Sequence, residues 1–522
     1  CYVFLTTVTL NYVVLLKPAM TFYASLLGPL GRAQLVPIAV FLGCFAMLHF
    51  PKLLAMVWCS IRARELVFSL QALEIGSQVY QVHSSSSDLT LDFGSSVLVP
   101  ALIFAPFVAA FDYEIVDVPL ALLYDEVWFS RMMFAAQREF ATSLLDTAFT
   151  LLPHVGICVA LSSLVALMRR GCPWRRRQQQ QRSEQRAVAV SSSSARSSAP
   201  VTVLFVISGV AVGFVHVWSS LAPVLLAPDN PSCELCLQPW FVTEHACSVF
   251  HYNCYRRNTS IVPEAALDGF DPSELAIFVV SYCPALAVPA HVAKFRNLLG
   301  LELYNCTLVK WDASTTIREH VHHPLQVVIL AHVNMTELPA GLRQPLPPSL
   351  HDIAIVKSNL TKLPTDLHLA WRHQLSVLFL EHNAFRAVPL TLAHIRAREL
   401  SLIGCRIETV DAYADADPAV LDMLVDLTLS DVPLHTLMDW SGRVGALTSL
   451  QQLAIEHMAL KWLPDWLLAL AASGAAPEVF ARDTPFCDRE SVAAAEAAMC
   501  ARRHVAPLGK YPLAAMATLR LS

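Results

Sequence analysis

Closely spaced cysteines are the first residues of this chain whose types and spacing could do chemistry. Cys233 and Cys236 form a C-x-x-C pair, and Cys247, Cys254 and Cys283 follow it. Such spacing is compatible with a zinc ribbon, with thiol–disulfide exchange or with structural disulfides. The compartment in which the cysteines lie decides among these chemistries.

A histidine cluster is the second candidate for chemistry. His320, His322 and His323 could hold a metal ion, or they could belong to a solvated loop, which their long irregular segment favours. The sequence contains no P-loop, no dinucleotide-binding glycine motif, no HExxH and no GxSxG, the short motifs that carry common enzyme chemistries. We therefore expect no metal, no cofactor and no catalysis.

The composition excludes several classes of protein. Hydrophobic residues make up 55% of the 522 residues and charged residues 15%, with a mean hydropathy of +0.48. Soluble domains have about 45–50% and about 25% respectively, so the chain is not a wholly soluble cytosolic enzyme, a disordered chain or a collagen-like chain. After residue 226, 22 Lys and Arg face 30 Asp and Glu. This acidic balance argues against nucleic acid as a partner.

The apolar excess lies in the first 226 residues. Residues 203–226 contain no Asp, Glu, Lys or Arg, and because about 20 apolar residues cross a bilayer as a helix, a transmembrane helix is predicted there. Residues 1–168 are predicted to form a multi-pass helical region, with candidate spans at 147–168, 95–111, 37–58 and 2–16. Since Cys1 is not an initiator methionine, truncation is favoured over a lipidated amino-terminal cysteine.

Two independent features predict the orientation in the membrane. Residues 169–202 form an Arg/Gln/Ser-rich loop with seven arginines between residues 169 and 186. This is typical of the cytosolic side, although a nuclear-localisation signal is an alternative. The later part of the chain contains N-glycosylation sequons at Asn258, Asn305, Asn334 and Asn359 and nine of the 14 cysteines. Both are expected of an oxidising, extracellular compartment. We predict a multi-pass plasma-membrane protein with an extracellular carboxy-terminal domain.

The chain is periodic from residue 275 onward. Eight segments match the pattern LxxLxLxx(N/C)xL, and they begin at residues 275, 298, 325, 350, 375, 397, 424 and 450, at intervals of 22 to 27 residues. This interval is that of leucine-rich repeats, about 20–29 residues, whereas a β-sandwich does not explain apolar positions fixed at such a period. Each unit is one short strand with a return segment, and stacked units bury a continuous core.

The region from Cys233 to about Cys500 therefore resembles extracellular leucine-rich-repeat proteins, and more narrowly membrane-anchored, receptor-like proteins with cysteine-bearing caps. The resemblance implies an α/β solenoid, or horseshoe, as the ectodomain. Its parts are a cysteine-bearing N-terminal cap at 227–274, about eight repeats at 275–470 and a C-terminal cap at 471–522.

The extracellular side favours disulfides over zinc or redox chemistry for the cap cysteines. The disulfide candidates are Cys233, Cys236, Cys247, Cys254, Cys283, Cys487 and Cys500, the last two closing the C-terminal cap. The chain departs from the family pattern at the ninth position of the repeat, where only Asn383 supplies the usual Asn. Cys306 and Cys405 stand at that position in two other repeats and are expected to be buried thiols.

The third, fifth and seventh positions of each repeat are predicted to face the concave side of the solenoid, because side chains alternate along a strand. In the first repeats they include the apolar residues Ile277, Val279, Val327, Ile329, Val377 and Phe379. An aligned apolar patch of this kind is a candidate binding surface, with Phe379 as its anchor. The alternative is that the N-terminal cap or loops of the membrane domain cover it. The eighth position carries His332, Lys357, His382 and His457, which are expected to be solvated.

These features predict a membrane-anchored extracellular protein that binds a macromolecular partner without catalysis. The expected partners are the lipid bilayer and a protein ligand or co-receptor on the extracellular side, and not nucleic acid. Two alternatives stay open. The membrane region could be a transporter or membrane enzyme that the repeats regulate, or the protein could have a structural or adhesive role at the cell surface.

Overall fold

The computed structural model describes residues 230–237, 239, 244–472, 477–489, 494–504 and 509–513, with isolated positions between 125 and 131 and between 207 and 221. No helix among these described residues has the length and apolar character needed to cross a membrane. The other predicted spans, the basic loop at 169–202 and most of 203–226 lie outside the described residues.

Nine positions of the predicted span 203–226 are described, and all nine are helical. Large apolar side chains at these positions are 50% to 68% exposed. They are Ile207, Val210, Phe214, Val217, Trp218 and Leu221. The part of this segment that the structure describes is therefore a helix whose apolar side chains do not pack into a protein core.

The strands after residue 230 form one long ladder. The thirteen strands are β1 (Cys233–Cys236), β2 (Cys247–Asn253), β3 (Ile277–Ser281), β4 (Leu286–Ala287), β5 (Gly300–Tyr304), β6 (Leu308–Lys310), β7 (Val327–Ala331), β8 (Asp352–Val356), β9 (Leu375–Phe379), β10 (Ala397–Ser401), β11 (Asp426–Thr428), β12 (Gln452–Ala454) and β13 (Glu478–Phe480). Eleven of them make a single sheet in the order β1-β2-β3-β5-β7-β8-β9-β10-β11-β12-β13, and β4 pairs with β6 in a second, two-stranded sheet. β1 is antiparallel to β2, and every other pair in the large sheet is parallel.

The register of the ladder keeps equivalent repeat positions side by side. Leu301 pairs with Phe278 on one side and Val328 on the other, and all three side chains are fully buried. Because each strand sends alternate side chains to opposite faces, the fourth and sixth repeat positions build a continuous core of leucines and other apolar residues. The domain is a leucine-rich-repeat solenoid, as the period of the sequence predicts.

The parallel ladder extends beyond the predicted repeat region at both ends. β2 lies within the predicted N-terminal cap and pairs in parallel with β3, with Phe250 opposite Phe278. β13 lies within the predicted C-terminal cap and continues the ladder from β12, with Val479 opposite Leu453. Strands of the same kind thus occur on both sides of 275–470.

A left-handed residue ends most strands of the ladder. The residues with φ between 49° and 59° at this place are Tyr282, Asn305, His332, Lys357, His382, Asp431, His457 and Asp483, and Gly404 has φ 65°. The backbone N–H of His332 donates to the Val356 oxygen at 2.9 Å, and that of Lys357 to the Glu381 oxygen at 2.9 Å. The eighth position of the repeat therefore turns the chain while its N–H extends the ladder by one bond.

The ninth position satisfies a backbone carbonyl inside the turn. Asn383 Nδ2 donates to the Ile355 oxygen at 2.7 Å, and the Cys405 thiol takes the same role with the Leu380 oxygen at 3.1 Å. Cys306 lies 3.8 Å from the Val280 oxygen. Burial raises the pKa of Cys306 to about 11 and that of Cys405 to about 12. Both cysteines are buried and outside the disulfides, which confirms the prediction of buried thiols.

Short helices and turns make up the return segments. The α-helices are α1 (Cys254–Arg257), α2 (Leu367–Ala370), α3 (Asp411–Ala414), α4 (Pro418–Leu421), α5 (Asp465–Ala472) and α6 (Ala494–Ala501), and 3₁₀ turns lie at Glu264–Ala266, Ala290–Lys294, Ala313–Thr315, Ala340–Leu342, Leu390–His394 and Ser441–Ala446. Buried tryptophans pack under these segments, and each indole N–H donates to a backbone carbonyl, as Trp371 does to Leu342 at 2.9 Å and Trp466 to Met438 at 3.0 Å.

Three disulfides close the two ends of the solenoid. Cys233 bonds to Cys247 and Cys254 to Cys283 at the first end, and Cys487 bonds to Cys500 at the other. The predicted Cys487–Cys500 link is confirmed. Cys236 was predicted as a disulfide candidate and belongs to none of the three; its sulfur lies 3.1 Å from that of Cys233. Four of these cap cysteines form disulfides in the described part of the chain.

Candidate functional site: the concave face of the sheet

The side of the large sheet opposite the leucine core carries the third, fifth and seventh repeat positions, and we call it the concave face. The apolar residues predicted to be open there are covered. Ile277, Val279, Ile329 and Phe379 are buried, and Val327 and Val377 are half-buried. The expectation of an accessible apolar patch with Phe379 as its anchor is therefore wrong. The structure groups these residues on one face, as predicted, but does not leave them open to a partner.

Acidic side chains occupy the same three positions in the later repeats. We call this group the acidic patch, and it consists of Asp352, Glu381, Glu399, Asp426 and Glu456. β-strand pairing places Glu399 next to Asp426 across β10 and β11, and Glu381 and Glu456 are fully buried. The apolar pattern of the repeats does not identify these residues. The same register of third and seventh positions identifies all five.

A segment from the end of the chain lies on the acidic patch. Glu381 Oε1 accepts the backbone N–H of Lys510 at 2.9 Å, and Oε2 of the same carboxylate accepts the N–H of Tyr511 at 3.3 Å. Ser401 Oγ donates to Glu381 Oε1 at 2.6 Å and holds the carboxylate in place. One buried carboxylate thus accepts hydrogen bonds from two successive peptide N–H groups of a segment that bends at Lys510 and Tyr511.

The lysine of this segment enters the acidic patch. Lys510 Nζ forms an ion pair with Asp426 and lies 3.5 Å from Glu399 Oε2, and it stands 6.0 Å from the centre of the Phe379 ring. Its side chain is only 9% exposed. A buried ammonium is stable only where carboxylates compensate for its lost hydration, and two carboxylates do so here.

The tyrosine of the segment reaches a polar chain on β5. The Tyr511 hydroxyl lies 3.1 Å from the Tyr304 hydroxyl, which donates to Glu302 Oε2 at 2.6 Å. Burial raises the pKa of Glu302 to about 7, although the Tyr304 hydroxyl and the nearby His251 act in the opposite direction. Burial also raises the pKa of Tyr304 above its ordinary range.

A second contact holds the residues just before this segment. Glu456 Oε1 accepts the backbone N–H of His504 at 3.1 Å, and the His504 ring meets Phe480 edge to face at 5.2 Å between ring centres. Oε2 of Glu456 is buried and makes no hydrogen bond with the described residues. Within the described residues, only one of the two Glu456 oxygens therefore accepts a hydrogen bond.

Asp352 is the most perturbed acid of the patch. Burial, and then the charge of Glu399, raise its pKa to about 7. Its Oδ1 is buried and makes no hydrogen bond within the described part of the chain. This carboxyl is neutral over much of the acidic range, and it ionises near neutral pH.

The histidine cluster does not converge on a common point. His320 and His323 are exposed, while His322 is fully buried. Both ring nitrogens of His322 are used: Nδ1 accepts from the Arg318 N–H at 3.0 Å, and Nε2 donates to the Val292 oxygen at 2.9 Å. Burial lowers the pKa of His322. His322 thus pins a return segment, and the expectation of a wholly solvated loop does not hold for it.

The predicted glycosylation sites all lie on the surface. Asn258, Asn305, Asn334 and Asn359 are exposed. Asn359 Nδ2 donates to Asn334 Oδ1 at 2.8 Å, so the sequons of two consecutive repeats are in contact along one edge of the solenoid.

Comparison with known proteins gives only distant similarities. No family model matches the chain, and no curated protein matches it. Among solved structures, it is similar to InlP of Listeria monocytogenes, with 15% identity and a TM-score of 0.31 over 43% of this chain and 59% of that one. It is also similar to a chain of the Drosophila Toll–Spatzle complex, with 14% identity and a TM-score of 0.31 over 45% of this chain and 36% of that one.

A leucine-rich-repeat protein of Leptospira interrogans is similar at 16% identity and a TM-score of 0.24, over 44% of this chain and 70% of that one. The chain thus spans less than two thirds of the length of InlP and of the Toll complex chain. The assignment of the fold rests on the parallel ladder and its period.

Proposed function

We propose that this protein is a membrane-anchored, extracellular leucine-rich-repeat protein that recognises a protein partner on its concave face, without catalysis. The observation that carries the proposal is that the Glu381 carboxylate accepts hydrogen bonds from the backbone N–H groups of Lys510 and Tyr511. Peptide recognition through main-chain hydrogen bonds is a recurring mode of protein binding. A face that holds one peptide segment in this way has the chemistry to hold another.

The membrane anchor is supported by the sequence and by the described part of the segment 203–226. That segment contains no Asp, Glu, Lys or Arg, and its described positions are helical with exposed apolar side chains. Exposed large apolar side chains on a helix are stable in lipid and unfavourable in water. The extracellular placement is supported by three disulfides and four exposed sequons.

Site-specific photo-crosslinking tests the binding face. A photoreactive amino acid replaces Glu478, an exposed residue of the concave face on β13, and in a matched control it replaces Leu390, which is 52% exposed in a return segment. In intact cells, we expect an adduct with a second polypeptide from position 478 and none from position 390. Equal adducts from both positions, or an adduct from position 390 alone, would rule out the concave face as the binding surface.

A further inference from the structure

We propose that the acidic patch recognises a partner segment in which a small residue, a lysine and a tyrosine follow one another, and that Gly509, Lys510 and Tyr511 of this chain occupy the site as an internal stand-in. The inference rests on the proposed function, because it names the chemistry of the partner that the concave face would bind.

The acidic patch requires a cation. Glu399 and Asp426 are adjacent on neighbouring strands, and like charges that face each other across a sheet destabilise it. Lys510 Nζ lies against both carboxylates, and the side chains of Lys510 and Asp426 are almost fully buried, whereas that of Glu399 is partly exposed. A segment that replaced this one without a basic side chain would leave the buried Asp426 carboxylate uncompensated, which is strongly unfavourable.

The backbone contacts require a polypeptide and not merely a cation. Glu381 uses both oxygens on consecutive peptide N–H groups, so a metal ion or a small amine cannot reproduce the arrangement. Proline, which has no N–H, is excluded at the positions of Lys510 and Tyr511 and tolerated at the next one, where Pro512 stands.

The residue before the lysine must be small. Gly509 has φ 154°, and a Cβ at this position would lie 3.2 Å from Glu381 Oε2. This distance is tighter than an ordinary contact, and the carboxylate cannot retreat because Ser401 and the two N–H groups hold it. The site therefore selects glycine over larger residues before the lysine.

The residue after the lysine is selected by a buried hydroxyl. Tyr511 is 2% exposed, and its hydroxyl meets Tyr304, which is bonded to Glu302. A phenylalanine here would fill the space and lose this contact, and a site built to bind a hydroxyl discriminates against the side chain that lacks it. Tyrosine is therefore the favoured residue at this position.

An internal stand-in weakens binding of the partner by competition. A tethered segment has an effective concentration in the millimolar range for short flexible linkers, so a free peptide of equal intrinsic affinity displaces it only at comparable concentration. The patch thus selects partners that bind better than Gly509–Lys510–Tyr511, or partners present at high local density.

Peptide binding to the full chain, purified in detergent, tests the proposal. The probe is a labelled synthetic peptide, LGKYPL, which has the sequence of residues 508–513, and fluorescence anisotropy is the readout. The double variant Lys510→Ala/Tyr511→Ala opens the patch, and we expect it to bind the probe about tenfold or more tightly than the wild-type chain. Adding Glu381→Gln should weaken binding by about tenfold or more, because the amide oxygen can accept only one of the two N–H groups and the amide NH2 group cannot accept the other. A peptide with glutamate in place of its lysine should not bind.

Equal affinity of the wild-type chain and the opened variant would overturn the proposal, as would binding that Glu381→Gln does not change. If the double variant fails to fold, hydrogen exchange of the wild-type chain gives the same decision. Excess probe should speed exchange of the amides of Lys510 and Tyr511, and unchanged exchange at saturating probe contradicts displacement.

The two proposals fail in different ways. A partner that crosslinks to position 478 but lacks a glycine–lysine–tyrosine segment leaves the proposed function standing and refutes this inference. Probe binding that follows the predicted pattern, with no partner crosslinked from the concave face, supports the peptide site and refutes the assigned function.

Discussion

Asp352 makes the stability of the domain depend on pH. Its carboxyl has a pKa of about 7 in the folded chain, against an ordinary value of 3.8, because burial and the charge of Glu399 disfavour ionisation. Between these two values the folded chain binds a proton that the unfolded chain has released. The free energy of unfolding is therefore unaffected by this group below about pH 4 and decreases as the pH rises from about 4 to about 7.

Asp352→Asn removes this titration while keeping the side-chain shape. We expect the variant to unfold at a higher temperature than the wild-type chain at pH 8 and to show a flatter dependence of the thermal midpoint between pH 5 and 8. Glu302, whose pKa is also raised to about 7, leaves a residual slope of the same sign. Glu478→Gln, at an exposed acid on the same face, is the control and should leave the slope unchanged. A slope equal to that of the wild-type chain in the Asp352 variant contradicts the assignment.

Gly341 is required because an indole ring lies where its Cβ would be. A Cβ there would stand 2.0 Å from Trp311 Nε1, and Trp311 is buried with its N–H bonded to the Thr315 oxygen at 3.0 Å. Overpacking of this kind costs about 1–3 kcal/mol.

We therefore expect Gly341→Ala to lower the free energy of unfolding by about 1–3 kcal/mol in urea titrations. Gly442→Ala is the matched control, because no atom lies within 4 Å of a Cβ at that position. Equal stabilities of the two variants would show that the Trp311 ring moves aside at no cost.

For single residues, the sequence predicts which face of the sheet a side chain occupies. It does not predict whether another segment buries that side chain. The alternation of the repeat places Phe379 and Glu381 on the same face, and both are there. Their burial depends on Lys510 and Tyr511, whose contacts with Glu381 join residues 129 and 130 positions apart. A local pattern carries no information about such a distant segment.

At the scale of elements, the period of leucines predicts the strands between 275 and 470 because each repeat buries its fourth and sixth positions. The end strands depart from that signal. β2 buries Phe250 and Tyr252 at these positions, with Phe250 stacked on Phe278 at 5.4 Å between ring centres. β13 buries Val479, and Ala481, which directly follows this strand, is also buried. None of these buried residues is a leucine, so a leucine pattern does not find them.

The last strand is closed by helix α6 and its disulfide. The Ala481 N–H donates to the Met499 oxygen at 3.1 Å, and Cys500 bonds to Cys487, 13 residues earlier. A loop of this length restricts the unfolded chain by about 3 kcal/mol in the chain-entropy model. We expect Cys500→Ser to lower the thermal midpoint of the domain.

Reduction provides the control for this prediction. With the disulfides reduced, the wild-type chain and Cys500→Ser should melt at the same temperature. A wild-type chain whose Cys487 and Cys500 alkylate without prior reduction contradicts the link.

At the scale of the whole molecule, the chain uses its own end to fill the face that its repeats create. Tyr511 meets Tyr304, which lies 207 residues earlier, and Lys510 joins two strands of the sheet through Glu399 and Asp426. The repeats follow from the sequence because their contacts are between neighbours. The burial of the concave face by Lys510 and Tyr511 is seen only in the folded chain.

The four sequons test the proposed extracellular placement of the domain. All four asparagines are exposed, and only the lumenal side of the secretory pathway glycosylates them. We expect endoglycosidase treatment of the full chain from a glycosylating host to lower its apparent mass. Thr336→Ala should remove one glycan while keeping the bond between Asn334 and Asn359, so a smaller shift in this variant reflects the lost sequon and not a changed surface. Because the arginine-rich loop at 169–202 and the sequons lie on opposite sides of the segment 203–226, an unglycosylated chain from a host that glycosylates other proteins would reject the extracellular placement and, with it, the proposed orientation of the anchor.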